Sequence, residues 1–333
     1  MAFVNLGNEF KNLPPYQRDI LNESLVTASG VYKSFKNDNK LSFAVITSQG
    51  TRFLVVKKEK TQLMPSEKKY SAFAYTLSGS DDKVLKTQVT WKRVKGSPEE
   101  VAELRKYLEF QRTLSLPHTG QPVIIRQKNK DDGTILEWFD LNFIGTFKSN
   151  EAKFKATISD VTPTLIQLHK MGLCLTHLTL KNIISSKDHS MIDEFRKLTF
   201  YFVIDKKEPE NDTIKSSVYN TYGLVTPFCP VYTYTINLGL ILWGEQLANI
   251  LDNRDWILIN FSKDKLPSFV NKKDYIQLNF WTIFYEIMQS DVLIYNRAAK
   301  GIDNPKEFWK SVKEALPYKD ITSLSNHLVC LCK

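Results

Sequence analysis

The stretch LHKMGLCLTHLTLKNIIS, residues 168–185, decides the fold of the chain. Apolar residues at helical spacing, Val161, Leu165 and Leu168, lead into it and predict an amphipathic helix. Gly172 interrupts the helical pattern, a short polar loop follows, and the final NIIS favours a strand. The stretch therefore predicts a helix, a loop and a strand in direct succession.

This stretch resembles the catalytic loop of the protein kinase family, in which a helix ending in LHxxGI is followed by HRDLKPENIL. Aligned without gaps, His177 stands at the catalytic aspartate, Thr179 at the lysine and Asn182 at the asparagine. In the family the aspartate accepts the substrate proton, the lysine supports the phosphate and the asparagine holds magnesium. An alignment with a gap puts Thr179 at the aspartate and recovers Lys181 as the lysine. Either alignment leaves the loop without a carboxylate, so the resemblance implies no intact catalytic residue.

A strand and a helix upstream extend the resemblance. VTWK ends at Lys92, which matches the lysine late in the third kinase strand. EFQRTLSLPH resembles ExxxLxxLxHPN, which puts Glu109 at the glutamate that pairs with that lysine and His118 at the histidine. Lys57 in LVVKK is the alternative lysine, although a hairpin then separates it from the helix.

Two further kinase motifs are altered. The segment TQLMPSEKK, where a phosphate-binding loop is expected, contains no glycine to let backbone amides approach phosphate oxygens. LTFYFVID ends at Asp205, the position of the DFG aspartate, but two lysines follow it. The resemblance implies Lys92, Glu109, Asn182 and Asp205 as nucleotide-binding residues if nucleotide binds. ATP with magnesium is the cofactor the family would use, and the missing glycines argue against it.

The downstream sequence supports the same family. TPFCPV resembles a shortened TPxxxAPE with Val231 at the structural glutamate, and INLGLILWGEQLANIL resembles the buried helix DVWSLGVILYELL. Tyr234 replaces the aspartate that braces the catalytic loop in the family. The resemblance therefore implies that the loop lacks its catalytic residues and that the helix lacks the aspartate that braces the loop in the family.

The predicted fold class is α+β, a bilobal kinase-like fold with a small β-rich N-lobe and a larger helical C-lobe. We assign residues 1–50 to an N-terminal extension with a helix and a β-meander, 51–140 to the N-lobe and 141–333 to the C-lobe. Within the N-lobe, SPEEVAELRKYLEFQRTLSL predicts a helix capped by Ser97. Runs at 70–77 and 84–94 predict a hairpin.

Composition limits the class of protein. The chain has 333 residues, 42% of them hydrophobic, without an apolar run of the roughly 20 residues that span a bilayer. The first residues, MAFVNLGNEFKN, predict no secretion signal. Four cysteines lack metal-binding spacing, so we predict no metal site and a reduced, intracellular setting, cytoplasmic or nuclear.

The net charge of +9 is concentrated in one region. Residues 40–95 contain twelve Lys or Arg and four Asp or Glu, a surplus of eight. This composition predicts a basic N-lobe surface that recruits an acidic protein, nucleic acid or anionic lipid, or that is simply solvated. The predicted basic surface consists of Lys57, Lys58, Lys60, Lys68, Lys69, Lys92, Arg93 and Lys95.

Three functions follow from these patterns. The first is a catalytically inactive pseudokinase that binds a protein partner, either an active kinase or its substrate, as a scaffold or allosteric regulator. The second is an atypical active phosphotransferase that uses Lys92, Asn182 and Asp205 with His177 as an unusual base. The third is a binding module for nucleic acid or anionic membrane.

Overall fold

A computed structural model describes residues 41–48, 51–64, 67–77, 84–114, 116–140, 147–186, 189–193, 195, 198–205 and 213–332. The helix and the beginning of the β-meander expected in the N-terminal extension lie outside these residues. The described protein mixes helices and strands, so the α+β class is confirmed. The chain divides into two compact units, Met1–Arg112 with Gly120–Phe143, and Thr113–Thr119 with Ile144–Lys333.

The first unit is built on an antiparallel sheet of six strands in the order β1-β2-β3-β4-β6-β5. The strands are β1 Leu41–Ser48, β2 Thr51–Met64, β3 Glu67–Leu77, β4 Val84–Gly96, β5 Pro122–Lys130 and β6 Gly133–Asp140. Helix α1, Pro98–Leu114, connects β4 to β5. After β4 the chain leaves the sheet through α1. It returns as β5 at the sheet edge, and β6 then pairs with both β4 and β5.

The local signals of the first unit are confirmed. Strands β3 and β4 form the expected hairpin, with Leu77 opposite Val84. Ser97 begins α1, since its hydroxyl accepts a hydrogen bond from the Glu100 amide and the Glu100 carboxylate accepts one from the Ser97 amide. This reciprocal pair satisfies two amides that the helix leaves without an internal partner.

The two faces of the sheet pack differently because strand side chains alternate. Trp91 and Phe139 lie opposite each other and belong to one buried cluster. Lys92 lies opposite Trp138, on the face where Val101 and Leu108 of α1 pack. This arrangement places the side chain of Lys92 in the interior.

The second unit is mainly helical and surrounds one large apolar core. Its helices are α2 Asn150–Lys170, α3 Ser217–Tyr222, α4 Phe228–Trp243, α5 Glu245–Leu251, α6 Arg254–Asn260, α7 Tyr275–Ala298, α8 Pro305–Val312 and α9 Ile321–Leu331. Its strands are β7 Leu173–Leu175, β8 Ile183–Ser186, β9 His189–Ile192 and β10 Leu198–Phe200. Strand β7 pairs with β10, and β8 pairs with β9, both antiparallel.

One predicted strand is shorter than its sequence suggested. The run LTFYFVID pairs with β7 only over Leu198–Phe200, and a turn follows in which Phe202 has φ 66°. The amide of Phe202 donates to the carbonyl of Val225, so the chain bends to meet the segment before α4. Apolar content alone did not reveal this turn.

Helix α4 is the most buried helix described. Tyr234, fully buried, donates its hydroxyl proton to the carbonyl of Thr157, 2.9 Å away, and lies 2.9 Å from the hydroxyl of Thr162. Burial raises the pKa of the Tyr234 hydroxyl, which keeps it protonated and able to donate. These bonds join α4 to α2.

A buried ion pair ties three parts of the second unit together. Arg254 lies 2.9 Å from Asp291, whose side chain is 1% exposed, and donates to the carbonyls of Thr213 and Lys215. The other carboxylate oxygen of Asp291 accepts from the Ser217 amide at 2.9 Å. Burial raises the pKa of Asp291, and the Arg254 charge opposes that rise. The pair therefore anchors the start of α3 to α6 and α7.

We predict that Arg254→Ala destabilises the protein by about 3–5 kcal/mol, since it leaves a buried carboxylate without its cation. Lys310→Ala is the matched control, because it removes one partner of the exposed i,i+3 pair with Glu307 and should cost under about 1 kcal/mol. Urea unfolding followed by tryptophan fluorescence measures both. Equal effects of the two substitutions would contradict the anchoring role.

Candidate functional site

Asn182 forms hydrogen bonds to Thr179 within the loop between β7 and β8. The Asn182 side-chain oxygen accepts hydrogen bonds from the Thr179 hydroxyl at 2.8 Å and the Thr179 amide at 3.3 Å. The Asn182 amide donates to the Thr179 carbonyl, and the Asn182 carbonyl accepts from the Asp193 amide. Asn182 is only 6% exposed. Its polar atoms thus stabilise the loop conformation without a ligand.

A second asparagine, Asn237 of α4, also holds the loop between β7 and β8 in place. Asn237 of α4 is fully buried and donates its amide to the Leu178 carbonyl at 3.0 Å. It also donates to the Thr233 carbonyl within its own helix. The kinase resemblance put Tyr234 at the bracing position, whereas the contact comes from Asn237, one helical turn later. Asn237 is the only residue of α4 with an amide or charged side chain, and this was the sequence signal for its role.

The loop offers little for proton or phosphate transfer. Residues 176–182, THLTLKN, contain no carboxylate, and Thr179 directs its hydroxyl to Asn182. His177 is partly buried beside Leu178, whose carbonyl is held by Asn237. The chemical groups that the loop presents are therefore imidazole, hydroxyl and the exposed Lys181 ammonium.

Asp205 is bound to α3 and to the glycine that follows it. Its amide donates to the Gly223 carbonyl at 2.8 Å, and its carboxylate accepts from the Tyr219 hydroxyl at 2.9 Å. Gly223 has φ 65°, and a Cβ there would lie 2.1 Å from the Asp205 carbonyl oxygen, so this contact requires glycine. Among the bonds made by the described residues, none joins Asp205 to Asn182. The two expected metal ligands are thus held by separate contacts.

Lys92 forms a buried ion pair in the first unit. Its ammonium lies 3.7 Å from Asp140, and the two side chains are 2% and 1% exposed. The other oxygen of Asp140 accepts from the Gln121 amide at 3.1 Å. Burying either charge alone would be costly, so each compensates the other.

The expected pairing of Lys92 with Glu109 is wrong. Glu109 is exposed and pairs with Arg105 of its own helix at 2.8 Å. Because one residue advances a helix by about 100°, Glu109 points away from the face where Leu108 enters the core. Asp140, at the end of β6, takes the place that the resemblance gave to Glu109.

The predicted basic surface needs one correction. Lys92 is buried, so it does not belong to a surface. Arg93 lies 4.0 Å from Glu137 and is 32% exposed, while Lys95 pairs with Asp132. The five other members of the set lie on β2 or β3, and their side chains fall outside the described part of the chain: Lys57, Lys58, Lys60, Lys68 and Lys69.

The second unit contains a basic cavity that no sequence pattern predicted. It has a volume of about 350 Å³ and is lined by Lys306, Lys310, Lys313, Lys319, Trp309, Pro227, Phe202, His169 and Asp320. Burial lowers the pKa of His169, with Asp320 opposing the shift, which favours the neutral imidazole. The lysines are spaced along α8 and the turns after it, so their convergence on one cavity depends on tertiary packing.

Apolar side chains lie next in sequence to one wall of this basic cavity. Phe200, Val203 and Ile204, on either side of the lining residue Phe202, are 64%, 37% and 49% exposed. Exposed apolar groups beside cationic groups are typical of protein-binding surfaces. The cavity and its surroundings therefore favour an anionic ligand that also carries apolar groups.

Three potential metal ligands meet elsewhere in the second unit. His118, Asp160 and His189 each place one ligand atom within 4.8 Å of the others. His118 has φ 49°, a left-handed conformation that costs a non-glycine residue on the order of 1 kcal/mol. The three residues are 42 and 29 positions apart, so sequence spacing carried no sign of the cluster.

The chain matches no protein-family model, and no curated protein matches it either. Within the described residues, no helix combines the length and the apolar character required to cross a membrane.

We predict that Lys92→Met destabilises the first unit by about 3–5 kcal/mol, because Asp140 then lies buried without its cation. The double variant Lys92→Met with Asp140→Leu should recover most of this loss, because no charge is then buried. Hydrogen exchange of the β4 and β6 amides measures the effect within this unit. Glu109→Ala, in an exposed pair, is the control and should change exchange little. A double variant as unstable as the single one would contradict the pairing.

Proposed function

We propose that this chain is a kinase-like protein that does not transfer phosphate and that works by binding another protein. The observation that carries the proposal is the loop at 176–182, which has no carboxylate and whose Asn182 oxygen is bonded to Thr179. A kinase needs a carboxylate to accept the substrate proton and an asparagine oxygen free for magnesium. This loop retains the shape of a helix–loop–strand unit and supplies neither group.

The arrangement of the first unit supports the kinase-like part of the proposal. The strand that carries Lys92 is followed by helix α1 and then by two strands, and β6 lies beside β4. This is the order of lysine strand, helix and hinge strand that the resemblance implies. If β1 is an addition at the sheet edge, Lys92 lies on the third of the remaining five strands, as the kinase lysine does.

The charge of Lys92 supports the inactive part of the proposal. In kinases this lysine contacts the α- and β-phosphates of ATP. Here Asp140 lies 3.7 Å from the ammonium and both side chains are buried. Because Lys92 is only 2% exposed, its ammonium is shielded from a phosphate that approaches from solvent.

The surface of the second unit supports protein binding. Four lysines and Trp309 line the basic cavity, and exposed apolar residues are the sequence neighbours of Phe202, which also lines it. A protein segment that carries acidic and apolar side chains satisfies both features at once. The partner class we propose is therefore an acidic, partly apolar protein segment, such as one from an active kinase or from its substrate.

We expect ATP with magnesium to leave the melting temperature of the protein unchanged. A ligand at 100 times its dissociation constant stabilises a protein by about 2.7 kcal/mol, so a nucleotide that bound would be detected. The titration is run with ATP, with magnesium and with both together. Metal-dependent stabilisation, or phosphate transfer that is lost in His177→Gln and Asp205→Asn, would instead support the active phosphotransferase.

Partner binding should depend on the basic cavity. We expect Lys306→Glu combined with Lys319→Glu to weaken, by on the order of tenfold or more, the binding of an acidic peptide that contains aromatic residues. Fluorescence anisotropy of the labelled peptide measures the affinity at low and physiological salt. Lys128→Glu with Lys130→Glu, two exposed lysines of β5, is the control with the same charge change. Equal loss in both variants would mean that net charge, and not the cavity, governs binding.

A further inference from the structure

The cluster of His118, Asp160 and His189 is held in place by three different elements of the second unit. His118 lies in the segment before β5, Asp160 in the middle of α2, and His189 at the first position of β9. The carbonyl of His118 accepts a hydrogen bond from the Ile192 amide at 2.9 Å, and Thr119 forms a parallel bridge with Ile192. These backbone contacts hold the two histidines on the same side of α2.

One of the distances in the cluster is close to that of a zinc site. The Nε2 of His118 lies 3.9 Å from one Asp160 oxygen, and the Nδ1 of His189 lies 3.4 Å from the other. Zinc bonds of about 2.0–2.1 Å in a tetrahedral site place ligand atoms about 3.3 Å apart. The His189–Asp160 distance is already near that value, whereas the His118 ring must move closer for all three side chains to share one ion.

The surrounding bonds hold the carboxylate as a metal site requires. One Asp160 oxygen accepts from the Ser190 amide at 2.8 Å, and the Ser190 hydroxyl lies 2.7 Å from the Thr157 hydroxyl. Hydrogen bonds of this kind orient ligand side chains and raise metal affinity. The carboxylate is therefore fixed before any metal binds, while the two histidines supply the exposed side of the site.

The donor set selects the class of metal. Two imidazoles and one carboxylate suit zinc and related transition ions, whereas magnesium and calcium prefer sites made of oxygen. His189 is 63% exposed, which leaves the outer side of the cluster open to water as a fourth ligand. Without a metal the same contacts are weak, since the His118–Asp160 and His189–Asp160 distances of 3.9 and 3.4 Å are longer than those of a good hydrogen bond.

We propose that His118, Asp160 and His189 bind one zinc ion, with water as the fourth ligand. The ion joins the segment before β5, helix α2 and the β8–β9 hairpin. Since β8 begins at Ile183, directly after Asn182, the zinc site also supports the end of the 176–182 loop. This role is independent of partner binding and of nucleotide binding.

The test uses the full chain without an affinity tag, stripped with a chelator and carrying Cys330→Ser and Cys332→Ser. These two substitutions remove a competing pair of thiols near the end of α9. Calorimetric titration with zinc chloride should show one equivalent with a dissociation constant at or below about 1 μM, and magnesium chloride should show no binding. Cobalt should give the visible absorption of a four- or five-coordinate site.

The ligand variants are chosen to preserve the fold. Asparagine tolerates the left-handed backbone of residue 118, and Asp160→Asn keeps an acceptor for the Ser190 amide. We expect His118→Asn, Asp160→Asn and His189→Gln each to weaken zinc binding by on the order of 100-fold while the metal-free melting temperature is unchanged. A variant whose metal-free melting temperature falls is judged by its cobalt spectrum, which must still lose intensity.

His169→Gln is the matched control, since His169 also lies 3.9 Å from a carboxylate, that of Asp320, but without a second histidine ligand. It should leave zinc binding unchanged. In the parent protein, zinc should also slow hydrogen exchange in β8 and β9. Absence of zinc binding, or binding that persists in both histidine variants, would overturn the proposal.

Discussion

The second unit depends on the burial of helix α4 in an apolar core that leaves its few polar groups no access to water. A buried polar group without a partner costs about 1–3 kcal/mol, so each such group must find a bond inside the protein. Tyr234 finds Thr157 and Thr162 on α2, and Asn237 finds the Leu178 carbonyl. These requirements set the position of α2 and of the 176–182 loop relative to α4. The packing of the core around α4 thus determines the conformation of the 176–182 loop.

The same rule explains why the loop and Lys92 have internal partners. Asn182 bonds Thr179, and Lys92 is paired with Asp140. In each case the polar group of a buried side chain finds its partner inside the protein. Lys92 and Asn182 belong to different units. Under the proposed function, the internal bond of Asn182 and the burial of Lys92 are two separate observations that favour an inactive protein.

The excess positive charge acts in two ways. Lys92, which contributes to the surplus in residues 40–95, is neutralised inside the first unit by Asp140. In the second unit, four lysines converge on a cavity with Trp309 and Phe202 in its lining. Charge that is buried stabilises the fold only when it is paired, whereas charge around a cavity remains available to an anionic partner. A count of lysines along the chain does not separate these two cases.

The sequence by itself determined the features that depend on near neighbours along the chain. Helix α1 with its Ser97 cap, the β3–β4 hairpin and the apolar helix α4 follow from periodicity and capping. The tertiary structure decided the rest, including the pairing of Lys92 with Asp140, the brace from Asn237 and the meeting of His118 with His189. Those partners are separated by tens of residues, and what brings them together is packing in three dimensions, which no local spacing encodes.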